Sequence, residues 1–119
     1  MSRPLRDSFR DAFRGLRFVL RSQRNVRIHL VAAGAAVVAG LVVGLAPGEW
    51  ATLVLVIVLV LALEMANTAL ETLADAVVTT HHPWVGTAKD VAAGAVLVSA
   101  LGAVAVGLIL FVPKLLGIG

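Results

Sequence analysis

Polar and apolar positions divide the chain into a mixed front of 27 residues and three long apolar runs. The first run, Ile28 to Ala46, has His29 as its one polar side chain. The second, Trp50 to about Leu73, is apolar as far as Leu63 and then meets Glu64. The third, Val91 to Val112, is interrupted only by Ser99. A bilayer crossing takes about 20 mainly apolar residues, so each run predicts a transmembrane helix. Between the first two, Pro47-Gly48-Glu49 has turn chemistry and almost no length, which predicts an antiparallel hairpin. The expected fold class is therefore an all-α membrane protein, with spans at about 28–46, 50–73 and 91–112 in one unit covering 1–119.

Ahead of the first span, Phe9, Phe13, Leu16 and Leu20 recur at helical spacing, with Arg10, Arg14, Arg17, Arg21 and Arg24 in a parallel stripe. The pattern predicts an amphipathic surface helix within residues 1–27, its apolar face in the acyl boundary and its guanidinium groups at anionic headgroups. A plain anchor and a part in binding phosphate both fit this segment.

Composition narrows the class. The chain is 60% hydrophobic and 14% charged, with no cysteine and a mean hydropathy of +0.98, which excludes a disulfide scaffold and thiolate metal sites. Its formal charge of +3 is unevenly placed: eight arginines against two aspartates in the first 27 residues, then two lysines against five acidic residues. Long uncharged stretches argue against nucleic acid as a partner. A secretory signal has a short basic start and then about 7–15 apolar residues, which this front does not match. The arginine excess beside the first span instead places the N-terminus in the cytoplasm, the segment from Ala74 to Asp90 with it, and the tail after Pro113 outside. Gly40 with Gly44, and Ser99, Ala103 and Gly107 at every fourth position, predict close helix packing and a homo-oligomer.

The most informative stretch is Glu64-Met-Ala-Asn67-Thr68-Ala-Leu-Glu71-Thr-Leu-Ala-Asp75. On a helix, Glu64, Asn67, Thr68, Glu71 and Asp75 fall within an arc of about 100°. A carboxylate inside a membrane helix costs about 2.5–3.5 kcal/mol on insertion scales and marks a functional position. Glu64, the deepest, suits proton transfer, and Glu71 and Asp75, nearer water, suit a hard cation. A hydrogen-bonded cluster that holds an oligomer together is the structural alternative.

Downstream, Thr87 and Asp90 have the spacing of a capping box before the third run. Lys89 would then stand in the first helical turn, where the macrodipole disfavours a cation unless an anion such as phosphate is bound there. His81 and His82 could be metal ligands, although adjacent histidines before a proline more often form a solvated turn. Neither of the common glycine-rich phosphate loops occurs.

Taken together, Glu64-x-x-Asn67-Thr68-Ala69-Leu70-Glu71-x-x-x-Asp75, Gly86-x-Ala88-Lys89-Asp90-x-Ala92-Ala93-Gly94-Ala95-Val96, Ala12-Phe13-Arg14-Gly15-Leu16 and Arg24-Asn25-Val26-Arg27-Ile28-His29 resemble the signature of the prokaryotic diacylglycerol kinase and undecaprenol kinase family. The resemblance covers nearly the whole chain. It implies a small integral-membrane homotrimer of three-span subunits in the bacterial inner membrane, moving the γ-phosphate of MgATP to a membrane lipid hydroxyl. By position it implies Glu64 as the catalytic base and Glu71 as a ligand of the magnesium that accompanies ATP. Asn67 and Asp75 would complete the polar face of the site. Lys89 and Asp90 would contact the nucleotide, with Thr80, His81 and His82 in the adjoining loop.

Two positions depart from the family pattern. Gln23 stands where the family usually has a second metal-binding glutamate, so that ligand is neutral and magnesium binding should be weaker. Asp11 stands where the best-known diacylglycerol kinases have an aromatic residue near the nucleotide. The Arg-Asn-x-Arg-Ile-His run resembles the undecaprenol branch more, leaving diacylglycerol and undecaprenol both open as substrates. Two other classes are weighed against the kinase. A small proton-coupled multidrug transporter also uses a membrane glutamate, but in the first of four spans, and a catalytically inactive oligomeric membrane protein would follow if Gln23 marks a dead site.

Overall fold

The computed structural model describes residues 3–118; Met1, Ser2 and Gly119, which belong to the expected unit and its outward tail, lie outside the described residues. Among those described, the chain is all helical: α1 (Leu5–Ser22), α2 (Arg24–Val43), α3 (Pro47–Val77) and α4 (Pro83–Leu115). Three of them, α2, α3 and α4, are long and apolar enough to cross a membrane. The α-helical, three-span expectation holds, with shifted boundaries.

α1 and α2 are separated by one residue. Gln23 is extended (φ −112°, ψ 108°), which breaks the helical path without glycine or proline. The Leu20 and Arg21 carbonyls, which a continuous helix would pair with later N–H groups, instead accept from Arg27 Nη1 at 2.9 and 3.0 Å. A cation at a helix C-terminus satisfies orphan carbonyls and complements the macrodipole. The surface helix is thus a separate element joined to the first span by a guanidinium-held elbow. Its Phe9 and Phe13 are exposed, as an apolar face meant for lipid should be, and Val19 is its buried residue.

The hairpin differs from expectation. α2 stops at Val43 because Gly44 takes the left-handed conformation (φ +79°), donating its N–H to Gly40 O at 3.0 Å. Pro47 is already the first residue of α3, where its fixed φ is favourable and its missing N–H is harmless. The turn is therefore Gly44–Ala46, and Glu49 completes it by accepting from the Ala46 N–H at 2.9 Å. Lys114 of α4 reaches the same carboxylate at 3.1 Å and ties the third span to the hairpin end. Leu45, Leu53 and Leu110 are buried there, with Trp50 and Phe111 packed against them.

The expected face of Gly40 and Gly44 is also revised. Gly44 is a helix terminator, and Gly40 packs within the subunit, where a Cβ would come within 2.8 Å of Leu45 Cδ1 and Trp50 Cη2. The third span is longer than its apolar run. Pro83 starts α4, His82 Nδ1 caps it by accepting from the Trp84 N–H at 3.2 Å, and the helix continues through Pro113 into its last turn. Thr87 is inside the helix, donating to Pro83 O at 3.0 Å, so the Thr87–Asp90 capping box does not form. The expectation failed because Pro83 offers an earlier start than the first apolar residue.

Replacing Gly40 by valine should destabilise the hairpin end by about 1–3 kcal/mol through overpacking against Trp50. Thermal unfolding in detergent, followed by Trp50 emission in a Trp84→Phe background, checks this; an unchanged midpoint would show that the close approach has no structural weight.

Candidate active site

The polar stripe of α3 lies at the end of the bundle away from the hairpin. At about 1.5 Å per residue, Glu64 is about 21 Å along the helix from Trp50, Glu71 about 32 Å and Asp75 about 38 Å. With Trp50 set at one edge of a hydrocarbon layer of about 30 Å, Glu64 would fall inside it, Glu71 at its boundary and Asp75 in the headgroup zone. α2 runs the opposite way and enters at Arg24, which brings His29 to a matching depth. The two meet, His29 Nε2 lying 3.1 Å from Glu64 Oε1.

Glu64 is 3% exposed. Its Oε1 is buried without a hydrogen-bond partner among the described residues. Asn67 Oδ1 is likewise buried without a hydrogen-bond partner. Unpaired buried polar atoms are costly and call for a functional explanation. Thr68, also buried, donates to Glu64 O at 2.9 Å, and Thr72 to Thr68 O at 2.7 Å, so both hydroxyls are turned onto their own helix. Thr68 belongs to the stripe by position, with its hydroxyl committed to the backbone.

Farther out, Lys89 donates to Asp75 Oδ1 at 2.8 Å and bridges α4 to α3. Lys89 is in the second turn of α4, so the expected conflict with the first-turn dipole does not arise, and its counter-charge is Asp75. Glu71 is half-buried between Glu64 and Asp75 on the stripe. Asp90, Thr80, His81 and His82 are exposed at this same end. Gln23 is half-buried in the elbow, with Nε2 donating to Ser22 Oγ at 3.4 Å.

No group of three His, Asp or Glu side chains able to hold a metal ion occurs among the described residues, so His81 and His82 do not form such a cluster. Magnesium is commonly held by one or two carboxylates plus substrate phosphates and water, and Glu71 is a half-buried carboxylate of that donor type.

Beneath the polar groups lies an apolar cleft of about 380 Å³ between α2, α3 and α4. Ala103 and Gly107 help form its wall, so the small-residue face of α4 opens space inside the subunit. His29 is the polar side chain on that wall. Its part in the site was not foreseen; the available signal was its isolation as the one polar residue in an apolar span.

Three membrane-length helices with a buried carboxylate, above an apolar cleft and below an ammonium–carboxylate bridge, define a polytopic membrane protein with an intramembrane polar site. The chain belongs to the prokaryotic diacylglycerol kinase family, whose model matches residues 10–111. It is 42% identical over 108 residues to an undecaprenol kinase of Bacillus subtilis, covering 91% of this chain and 88% of that one. It is also 42% identical over 112 residues to a diacylglycerol kinase of a Synechocystis species, covering 93% of this chain and 64% of that one. The protein is a prokaryotic lipid kinase, which sets aside the transporter reading.

Because the Lys89–Asp75 bridge is largely solvated on the aspartate side, it should contribute little to stability. Asp75→Asn is therefore expected to leave the melting midpoint nearly unchanged while lowering phosphoryl transfer. A large loss of stability with normal activity per folded molecule would make the bridge structural.

Proposed function

We propose that the chain transfers the γ-phosphate of ATP to the hydroxyl of a membrane lipid, diacylglycerol or undecaprenol, with Glu64 as general base. The observation that carries this reading is the burial of the Glu64 carboxylate on a membrane-length helix, between an apolar cleft and a polar stripe. A lipid hydroxyl at the top of the cleft would give its proton to Glu64 as its oxygen bonds to the γ-phosphorus and the bond to the ADP oxygen breaks.

Glu71, with Gln23 as a neutral partner, would hold Mg²⁺, which when bound offsets charge on the phosphate oxygens. Lys89 would present its ammonium to the triphosphate from the position Asp75 fixes, with Asp90, Asn67, Thr80, His81 and His82 around the nucleotide. The arginine stripe of α1 and the excess of arginine near α2 support an N-terminus in the cytoplasm, the compartment of ATP, and a C-terminus outside. The subunits would assemble as a homotrimer in the inner membrane; the many exposed apolar side chains of α2–α4 leave ample face for both lipid and neighbours.

The test is transfer of labelled γ-phosphate from MgATP to diacylglycerol and undecaprenol, side by side in mixed micelles. Labelling of one lipid or both is expected, falling by about 10²–10⁴-fold in Glu64→Gln. No labelling of either by folded protein at high magnesium would overturn the assignment and favour an inactive oligomer. Gln23→Glu is expected to raise activity or lower the magnesium requirement; no change in either would show that position 23 is not a ligand.

A further inference from the structure

We propose that His29 is a positioning residue for Glu64, holding its carboxylate at the point where the apolar cleft meets the polar site; this rests on the kinase reading of Glu64. Three observations converge. Nε2 stands 3.1 Å from Oε1, a buried oxygen with no hydrogen bond among the described residues. The Glu64 side chain is 4% exposed, whereas His29 is 28% exposed, so the imidazole is the member of the pair that reaches open space. That space is the cleft: His29 lines it, and Glu64 does not. Every other lining residue is apolar, so a lipid hydroxyl whose hydrocarbon lies in the cleft meets the imidazole before the carboxylate.

A carboxylate on a glutamate side chain has three rotatable bonds, and burial alone does not choose among its rotamers. An imidazole on a neighbouring helix would, by donating from its ring nitrogen to one carboxylate oxygen and leaving the other for the incoming hydroxyl. A small rotation of the ring would align the contact. α2 is otherwise apolar from Ile28 to Val43, so nothing else on that helix can serve. The elbow supports the placement: Arg27, two residues earlier, anchors the start of α2 to the Leu20 and Arg21 carbonyls and fixes how far His29 enters the bundle.

The experiment uses the full chain in mixed micelles with labelled MgATP and both lipids, comparing His29→Ala, His29→Gln and Glu64→Gln. His29→Ala should lower kcat by about 10- to 100-fold, the cost of a misplaced catalytic group. KM for MgATP should stay within about twofold. His29→Gln, which keeps a donor near the same reach, should recover most of the rate. An unchanged kcat in His29→Ala, or a loss that His29→Gln does not restore, would overturn the proposal. Unfolding midpoints of His29→Ala, Glu64→Gln and the double variant give a readout that needs no activity. A double-variant shift smaller than the sum of the singles is expected, and additive shifts would show that the two side chains are uncoupled. Absence of labelling in wild-type protein, with coupled midpoints, would count against the kinase reading and leave the contact standing.

Discussion

An ionisable side chain can be kept at hydrocarbon depth only if neighbouring helices shield it from lipid, and that requirement on Glu64 organises the molecule. α3 alone would present the carboxylate to acyl chains. α2 sets His29 against it, and the residue is buried although most of the surface of the three spans is not. The antiparallel run of α2 follows from the three-residue turn at Gly44–Ala46, and that of α4 from its two tethers, Asp75–Lys89 at one end and Glu49–Lys114 at the other. Both tethers stand near the ends of the spans, where water lowers the cost of charge. Between them the contact is apolar and weakly directional, and it leaves a cleft.

Depth then sorts the chemistry along a single helix. Because α3 is 31 residues long, about 46 Å, it outruns the hydrocarbon and carries its stripe from lipid to water. One helix face therefore offers a desolvated carboxylate, a half-buried one and a solvated one in sequence, which is the order a lipid hydroxyl, a metal-bound phosphate and a nucleotide would need. A soluble kinase obtains such a gradient by folding several loops around a cleft. Here the bilayer supplies the gradient, and the sequence needs only acids at helical spacing.

This explains which features were legible in the residues. Span number, the surface helix and the acidic face depend on period and polarity, which the chain carries openly. The boundaries moved because caps overrule hydropathy: Gly44 ended α2 inside an apolar stretch, and Pro83 started α4 eight residues ahead of one. The Thr87–Asp90 pattern had the right spacing and the wrong context, since an earlier proline had already set the helix start. Gly40 and Gly44 looked like one face but serve two purposes, one steric and one conformational. Contacts between distant residues, such as His29 with Glu64 and Lys89 with Asp75, depend on helix register across the bundle, which periodicity within each helix does not contain.

The elbow at Gln23 joins these levels. An uninterrupted helix from Leu5 to Val43 could not lie in the interface and also cross the membrane, so the chain must turn where the arginine stripe ends. The extended geometry of Gln23 makes that turn, and Arg27 replaces the backbone hydrogen bonds the turn removes. A residue so placed is shared by the surface helix and the first span. The turn rests on the extended backbone of that residue and not on the charge of its side chain. A change between amide and carboxylate at this position would therefore alter the local charge without altering the path of the backbone, which separates whatever chemistry the side chain carries from the architecture that holds it.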